Sequence, residues 1–597
     1  MCLTGFVPRL ILLLDNEATR PMAAQALVNV TRHGGLEVRY DLAKVTPGLT
    51  RILETYPDDS VTSEHLIITI EHCVGSVLTG NIGEDPIKTR ILASIDMERT
   101  LKAVLRVLRN PGISFTLLAH ASELLAHSTF KAAKECLAIP ALIRFLVAGL
   151  RSMDWSHRCT ALTGIIYLHA RGSEVDSLIA DPNKFSQAIQ SGLPPHLSDL
   201  MAKYGPQHTT AYIRLKVQKD FQDAMMKARQ DHDLFSLGVT LSQFIMLTDY
   251  SIIAGSFYFH EPDAGKWTAD SGGLPFVMWT EALPYCAKAL REKGELDKAD
   301  ILEIKYSFTK QQPERAGQLA KVALKRNSSV SYFHYAVSMN VDEVEGLRAA
   351  KKGLRCNDLT PFIRHQLLWR AVEHAAWIGQ KHLADCGSET EARVWEEGIA
   401  FMLSALDDAK EYVETAPPDH THRKDVLYWY IILTITVKGP EISPDLKELK
   451  VSLIDLILSR RLTHSWLEQG IFHQLKLTEE MARFFDSLNH PPPKTMIWHC
   501  VDNIRRFYSS GAAEWDSVIR LLDQQTTHPV PSKDKAADDL ATWLENVHIE
   551  HGEHKMGSCD HGKPVRLSMD NVALYRCSWC SNPSAVLRKC SGCNSTR

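Results

Sequence analysis

Four of the 13 cysteines of this 597-residue chain lie close together near its end. They form two Cys-x2-Cys pairs, Cys577 with Cys580 and Cys590 with Cys593. Two such pairs at short separation are typical of zinc sites, because the two-residue gap lets both thiolates of a pair face one ion. Zinc takes four thiolates in a tetrahedron at about 2.3 Å, and in so short a segment metal binding would supply the folding free energy. The sequence therefore predicts Zn2+ held by these four cysteines.

A second group of candidate ligands lies upstream of the cysteine pairs. Its members are His548, His551, His554, Cys559 and His561. Their spacing matches no standard metal motif, and their surroundings are polar. We interpret this segment as a solvated linker, with the alternative that one of its residues completes the terminal metal site.

The rest of the chain must position this module, and its sequence patterns are helical. Apolar residues recur with the helical period, convincing alternating strand patterns are almost absent, and the helical segments are too numerous for one bundle. We therefore predict an all-α fold, a helical-repeat solenoid of stacked helices with a small C-terminal zinc-binding finger. The remaining cysteines are scattered, several within apolar helical patterns, which fits buried reduced thiols.

Three helical regions precede the finger in this prediction. Residues 1–260 have armadillo-like or HEAT-like features, and in the best example Pro140 opens one helix and Asp154 caps the next. Residues 276–415 are similar to tetratricopeptide repeats, and residues 420–545 form a further helical region. The partial finger, residues 575–597, follows.

The spacing of apolar and small residues supports the first two regions. One face of each helix in the armadillo-like pair is apolar, at Leu142, Ile143, Leu146, Ala161, Leu162, Ile165 and Leu168. Small residues that let helices approach closely recur in the second region, at Ala316, Ala320, Ala323, Gly346, Ala350 and Gly353. Between the two regions, the stretch from His260 to Pro275 is rich in Gly, Pro and Asp and is predicted to be a loop.

The terminal cysteines lie in two phrases that resemble the first half of a MYND-type zinc finger. The phrases are Tyr-Arg-Cys-Ser-Trp-Cys at 575–580 and Leu-Arg-Lys-Cys-Ser-Gly-Cys at 587–593. The resemblance covers 575–597 only, since the further cysteines and the histidine of the family pattern would follow Arg597. The body of the chain looks like fungal MYND-finger proteins with helical-repeat bodies, in phrases such as the one from Gly346 to Leu354.

The resemblance implies how metal and partners would bind. A complete MYND finger holds two zinc ions in a crossed arrangement. The first and third ligand pairs bind one ion, and the second and fourth pairs bind the other. Either this chain is part of a longer protein that supplies the missing ligands, or its two pairs close a single four-cysteine site. A complete MYND finger binds short proline-containing peptides, so the resemblance implies other proteins as partners, although the peptide groove would be incomplete in residues 575–597 alone.

The function predicted from these patterns is a zinc-binding scaffold for protein–protein interaction, and not an enzyme. One alternative is a MYND-associated protein-lysine methyltransferase, but the Asn-His motif of such enzymes is not found, since three prolines follow Asn489-His490. The other alternative is a nucleic-acid-binding regulator, and a formal net charge of -4 argues against a broad phosphate-binding surface. Nucleophile-elbow, phosphate-loop and His-Glu-x2-His motifs are absent from the sequence.

The sequence also predicts where the protein resides. The apolar run Leu10–Leu14 is broken by Asp15 and is shorter than the core of a signal peptide, about 7–15 residues. No stretch approaches the roughly 18 apolar residues of a membrane span. We therefore expect a soluble intracellular protein, cytoplasmic or nuclear or both, with no membrane partner.

Overall fold

The computed structural model of the protein is largely helical. It describes residues 6–78, 86–169, 202, 204–249, 251–261, 266–339, 342–384, 392–444, 446–449, 496–527, 572–577 and 581–585.

Helices α1 to α11 occupy the first part of the chain. They are α1 (Phe6–Leu14), α2 (Arg20–His33), α3 (Gly35–Ala43), α4 (Thr46–Thr55), α5 (Ser60–Leu78), α6 (Pro86–Ser94), α7 (Met97–Val107), α8 (Phe115–Lys131), α9 (Ala133–Leu137), α10 (Pro140–Gly149) and α11 (Trp155–His169). Side chains cap several of these helices. Asp96 accepts from the backbone N–H of Arg99 at 3.0 Å at the start of α7, and Ser114 accepts from that of Leu117 at 3.0 Å at the start of α8.

The helix pair predicted around residue 140 is confirmed. Pro140 stands at the first position of α10, where its missing N–H costs nothing. Asp154 precedes α11 and accepts from the backbone N–H of His157 at 3.0 Å, so the predicted cap is present. The predicted apolar stripe of both helices is buried, including Leu142 and Ile165, which are 0% exposed.

Helices α12 to α21 follow. They are α12 (Thr210–Asp231), α13 (Leu234–Ile245), α14 (Ala282–Glu292), α15 (Leu296–Thr309), α16 (Pro313–Arg326), α17 (Ser331–Ser338), α18 (Glu343–Gly353), α19 (Pro361–Ala384), α20 (Ala392–Thr415) and α21 (Arg423–Lys438). From α12 to α21, each helix packs against the next along the chain. The predicted small residues Ala316, Ala320 and Ala323 are buried in this packing. The repeat families and the domain boundaries inferred from the sequence stay predictions.

One part of the segment predicted as a loop is a short hairpin. Strand β1 (Tyr258–Glu261) pairs antiparallel with β2 (Lys266–Ala269), and an isolated bridge joins Ser256 to Met278. The loop prediction between His260 and Pro275 is therefore wrong for these strand residues. Aromatic and β-branched residues are common in strands, and pairing provides hydrogen-bond partners for backbone N–H and C=O groups of both strands.

Helix α22 (Met496–Thr527) returns to the first part of the chain and packs on α10 and α11. Its Trp515 is fully buried and meets the ring of Phe145 edge-on, with centroids 5.2 Å apart. Glu514 forms ion pairs with Arg109 and Arg144. Residues of α22 thus belong to the same apolar core as helices α1 to α11.

A second apolar core runs from α12 through α21. Within the described ranges, no helix combines the length and the hydropathy needed to cross a membrane.

Candidate metal centre

The first terminal cysteine lies at the base of a small hairpin. Strand β3 (Tyr575–Arg576) pairs antiparallel with β4 (Pro583–Ser584). Inside this pair, the backbone N–H of Cys577 donates to the carbonyl of Asn582 at 3.0 Å, and the N–H of Ser581 donates to the carbonyl of Cys577 at 2.8 Å. The chain therefore reverses direction tightly between Cys577 and Asn582, which is the interval that contains the first Cys-x2-Cys pair.

The hairpin residue Ser581 has φ of 52°, a left-handed backbone conformation that is uncommon for a residue other than glycine. Cys577 is 1% exposed. Of the four predicted ligands, the structure describes Cys577, whereas Cys580, Cys590 and Cys593 lie outside the described residues. Zinc binding by the four cysteines stays a prediction.

The alternative ligands upstream fall outside the described residues as well. They are His548, His551, His554, Cys559 and His561.

The hairpin is attached to helix α20 through Arg576. The guanidinium of Arg576 donates to the hydroxyl of Ser404 at 3.0 Å and to the carboxylate of Asp407 at 2.7 Å. Beneath this contact lies a buried ion pair between Lys351 of α18 and Asp408 of α20. Burial lowers the pKa of Lys351, although the adjacent carboxylate opposes that shift, and the charge of Arg576 lowers it further. The terminal segment thus joins a charged cluster on the helical body.

A second anchor is the carboxylate of Glu397. It accepts from the hydroxyl of Ser584 at 2.6 Å and from the backbone N–H of Ala585 at 3.2 Å. Glu397 is itself buried. Glu397, Ser404 and Asp407 lie seven and three residues apart on α20, so one face of this helix holds both strands of the hairpin.

The structure also brings together a buried group that sequence reasoning missed. This group consists of Glu71 and His72 of α5 and His120 of α8. One possible ligand atom from each residue lies within 4.8 Å of the other two, so the three side chains could hold a metal ion. Burial lowers the pKa of His72 to about 4. Burial raises the pKa of Glu71, but the bond from His120 and neighbouring histidine charges hold it below its usual value. The two helices are far apart in sequence, and no spacing motif signals their contact.

A cavity of about 500 Å3 is a further candidate site, and it opens beside the start of α19. The polar residues that line it include Asp249, His365, Gln366 and His420, together with the charged side chain of Arg364. The amide of Gln366 donates to Asp249 at 2.9 Å, and the Nδ1 of His420 lies 2.6 Å from the hydroxyl of Tyr412. Burial raises the pKa of Asp249 and lowers that of His365 to about 4. Both shifts favour the uncharged forms of these two side chains.

Comparisons with known proteins add no assignment to these sites: no protein-family model, curated protein or solved structure matches this chain.

Proposed function

We propose that this protein is a zinc-binding scaffold for protein–protein interaction, in which the terminal cysteine module is a fixed part of the helical body. The observation that carries the proposal is the docking of Arg576, Ser584 and Ala585 on α20, with Cys577 buried at the base of the hairpin. A module held in this way presents its metal-bound loops in one orientation to a partner.

The chemistry of the module supports a structural role for the metal. Four thiolates fill the coordination sphere of zinc and leave no open position for a substrate, as in structural sites generally. Cys577 lies where β3 ends, and its backbone N–H donates to the carbonyl of Asn582 at 3.0 Å, which supports a fixed position for the first predicted ligand. Metal binding would then order the rest of the tail.

The contacts on α20 support the proposal that the stability of the terminal module depends on the helical body. Arg576 and Glu397 each make charge-assisted hydrogen bonds across the contact, which are stronger than neutral ones. Because Glu397 is buried, leaving it without its partners would cost free energy. The docked hairpin and the metal therefore stabilise each other, and a partner would meet a composite surface of module and helices.

Proline-containing peptides are the partner class that the MYND resemblance implies, and they provide the test. An array of such peptides is incubated with the full chain loaded with zinc, with the chain treated with a chelator, and with the chelated chain after zinc is restored. We expect a subset of peptides to bind, to be lost on chelation and to return with zinc.

Two cysteine variants provide the matched comparison. Cys577→Ser should abolish the binding, whereas Cys356→Ser, which alters a partly exposed thiol of the body, should leave it unchanged. Equal binding by zinc-loaded, chelated and Cys577→Ser protein, or no binding to any peptide, would contradict the proposed function.

A further inference from the structure

The group Glu71, His72 and His120 has the donor set and the spacing of a metal site. All three residues are buried between helices α5 and α8, which pack against each other. The Oε2 atom of Glu71 lies 3.2 Å from Nδ1 of His120 and 4.0 Å from Nε2 of His72. Tetrahedral zinc with bonds of about 2.0–2.1 Å needs donors separated by about 3.3 Å, so small side-chain shifts would suffice to close the site.

The hydrogen bonds around His72 fix which of its nitrogens faces the group. The hydroxyl of Thr31 lies 2.9 Å from the carbonyl of Val28 and 2.9 Å from Nδ1 of His72. A hydroxyl has one proton. When that proton is donated to Val28, the oxygen accepts from Nδ1–H of His72 and the lone pair lies on Nε2, which is the tautomer in which His72 can bind a metal ion.

That lone pair is buried and unpartnered. Nε2 of His72 has no hydrogen-bond partner among the described residues, and the ring is 5% exposed. Its nearest charged neighbour is the carboxylate of Glu71, which also offers only acceptors when ionised. Two acceptors that face each other in a buried space are unfavourable unless a cation or a proton lies between them.

We propose that Glu71, His72 and His120 bind one divalent transition-metal ion of the zinc, cobalt and nickel class. Two imidazoles and one carboxylate, with a fourth position open, form a donor set that these ions accept. The bond from Nδ1 of His72 to Thr31 is the outer contact that metal-ligating histidines usually make, since it fixes the ring and its tautomer. This site does not depend on the terminal cysteines or on the proposed scaffold function.

Gly75, one turn after Glu71, leaves space for the carboxylate. A Cβ atom at this position would lie 2.9 Å from Oε1 of Glu71. Gly75→Ala therefore displaces one ligand without removing any donor, and the flexible end of a glutamate side chain is the atom that must move.

Cobalt(II) is the probe that separates this site from the terminal one. The full chain is prepared with its four terminal cysteines changed to serine, at 577, 580, 590 and 593. After removal of bound metal, it is titrated with CoCl2. We expect uptake of one cobalt per chain with visible absorption typical of nitrogen and oxygen ligands and without sulfur-to-cobalt charge transfer.

Two substitutions in that background test the assignment. His72→Gln should lose the bound cobalt, and Gly75→Ala should weaken its binding at least tenfold while the circular dichroism and thermal midpoint stay close to those of the parent. If His72→Gln does not fold, the cobalt titration of the parent and of Gly75→Ala decides the matter.

The proposal is overturned if the serine parent takes up no stoichiometric cobalt, or if His72→Gln or Gly75→Ala folds and binds it as tightly as the parent. In either case the three side chains form a hydrogen-bonded group within the core. Because the terminal cysteines are absent from every arm of the experiment, its failure leaves the scaffold proposal standing.

Discussion

The buried ion pair between Lys351 and Asp408 gives a sharp test of how the body supports the terminal hairpin. The two side chains are 4% and 9% exposed, so little solvent compensates either charge. Asp408→Asn keeps the shape of the side chain but leaves the ammonium of Lys351 buried without its counter-charge. Removing one partner of such a pair typically costs about 3–5 kcal/mol of the free energy of unfolding.

The assay is urea unfolding at neutral pH, with two comparison variants. Asp407→Asn removes the neighbouring carboxylate, which is 62% exposed and pairs with Arg576, so it should cost at most about 1 kcal/mol. Replacing both Lys351 and Asp408, by Met and Leu, should recover most of the loss, because no lone charge remains. A loss below about 1 kcal/mol for Asp408→Asn would contradict this prediction, since it would mean that water reaches the pair.

Three further predictions concern the helical body. Gly346→Ala should destabilise the fold by about 1–3 kcal/mol in urea unfolding, because the new Cβ would clash with the ring of His374. Gly48→Ala is the control, since a Cβ there meets open space. This variant should be neutral or stabilising by up to about 1 kcal/mol. Asp419→Ala removes the acceptor of two backbone N–H groups at the start of α12 and should lower the free energy of unfolding by about 1–2 kcal/mol. Amide hydrogen exchange at the start of α12 should become faster, and unchanged exchange would contradict this prediction. Burial lowers the pKa of His365 from 6.5 to about 4, so below pH 6.5 the unfolded chain binds a proton that the folded chain excludes. The contribution of His365 to stability should therefore be full above that pH and fall by about 1.4 kcal/mol per pH unit toward pH 4, so the stability of His365→Gln should fall less steeply with decreasing pH.

Local features of the fold could be predicted from the sequence because their signals are local. Pro140 and Asp154 mark the starts of α10 and α11 through backbone chemistry that acts within one helical turn. The buried face of this helix pair follows from the helical period, and Leu142 and Ile165 lie where that period places them.

Long-range contacts could not be predicted in this way. Arg576 is attached to Asp407 far back along the chain, and nothing in either local sequence indicates the other. The same holds for His120 and Glu71, which meet because α5 and α8 pack together. The sequence identified Cys577 as a candidate ligand from its spacing to Cys580, but the helix face that holds the hairpin emerges from tertiary packing alone.

Metal binding by the terminal thiolates is the basis of the proposed function, and X-ray absorption at the zinc edge tests it directly. The sample is the purified full chain, with Cys356→Ser and Cys577→Ser measured in parallel. We predict sulfur neighbours at about 2.3 Å from zinc in the unaltered chain and in Cys356→Ser, and loss of sulfur scattering in Cys577→Ser. Zinc with only nitrogen and oxygen neighbours in the unaltered chain, or protein purified without zinc that acquires no sulfur-bound zinc when the metal is added, would contradict the account.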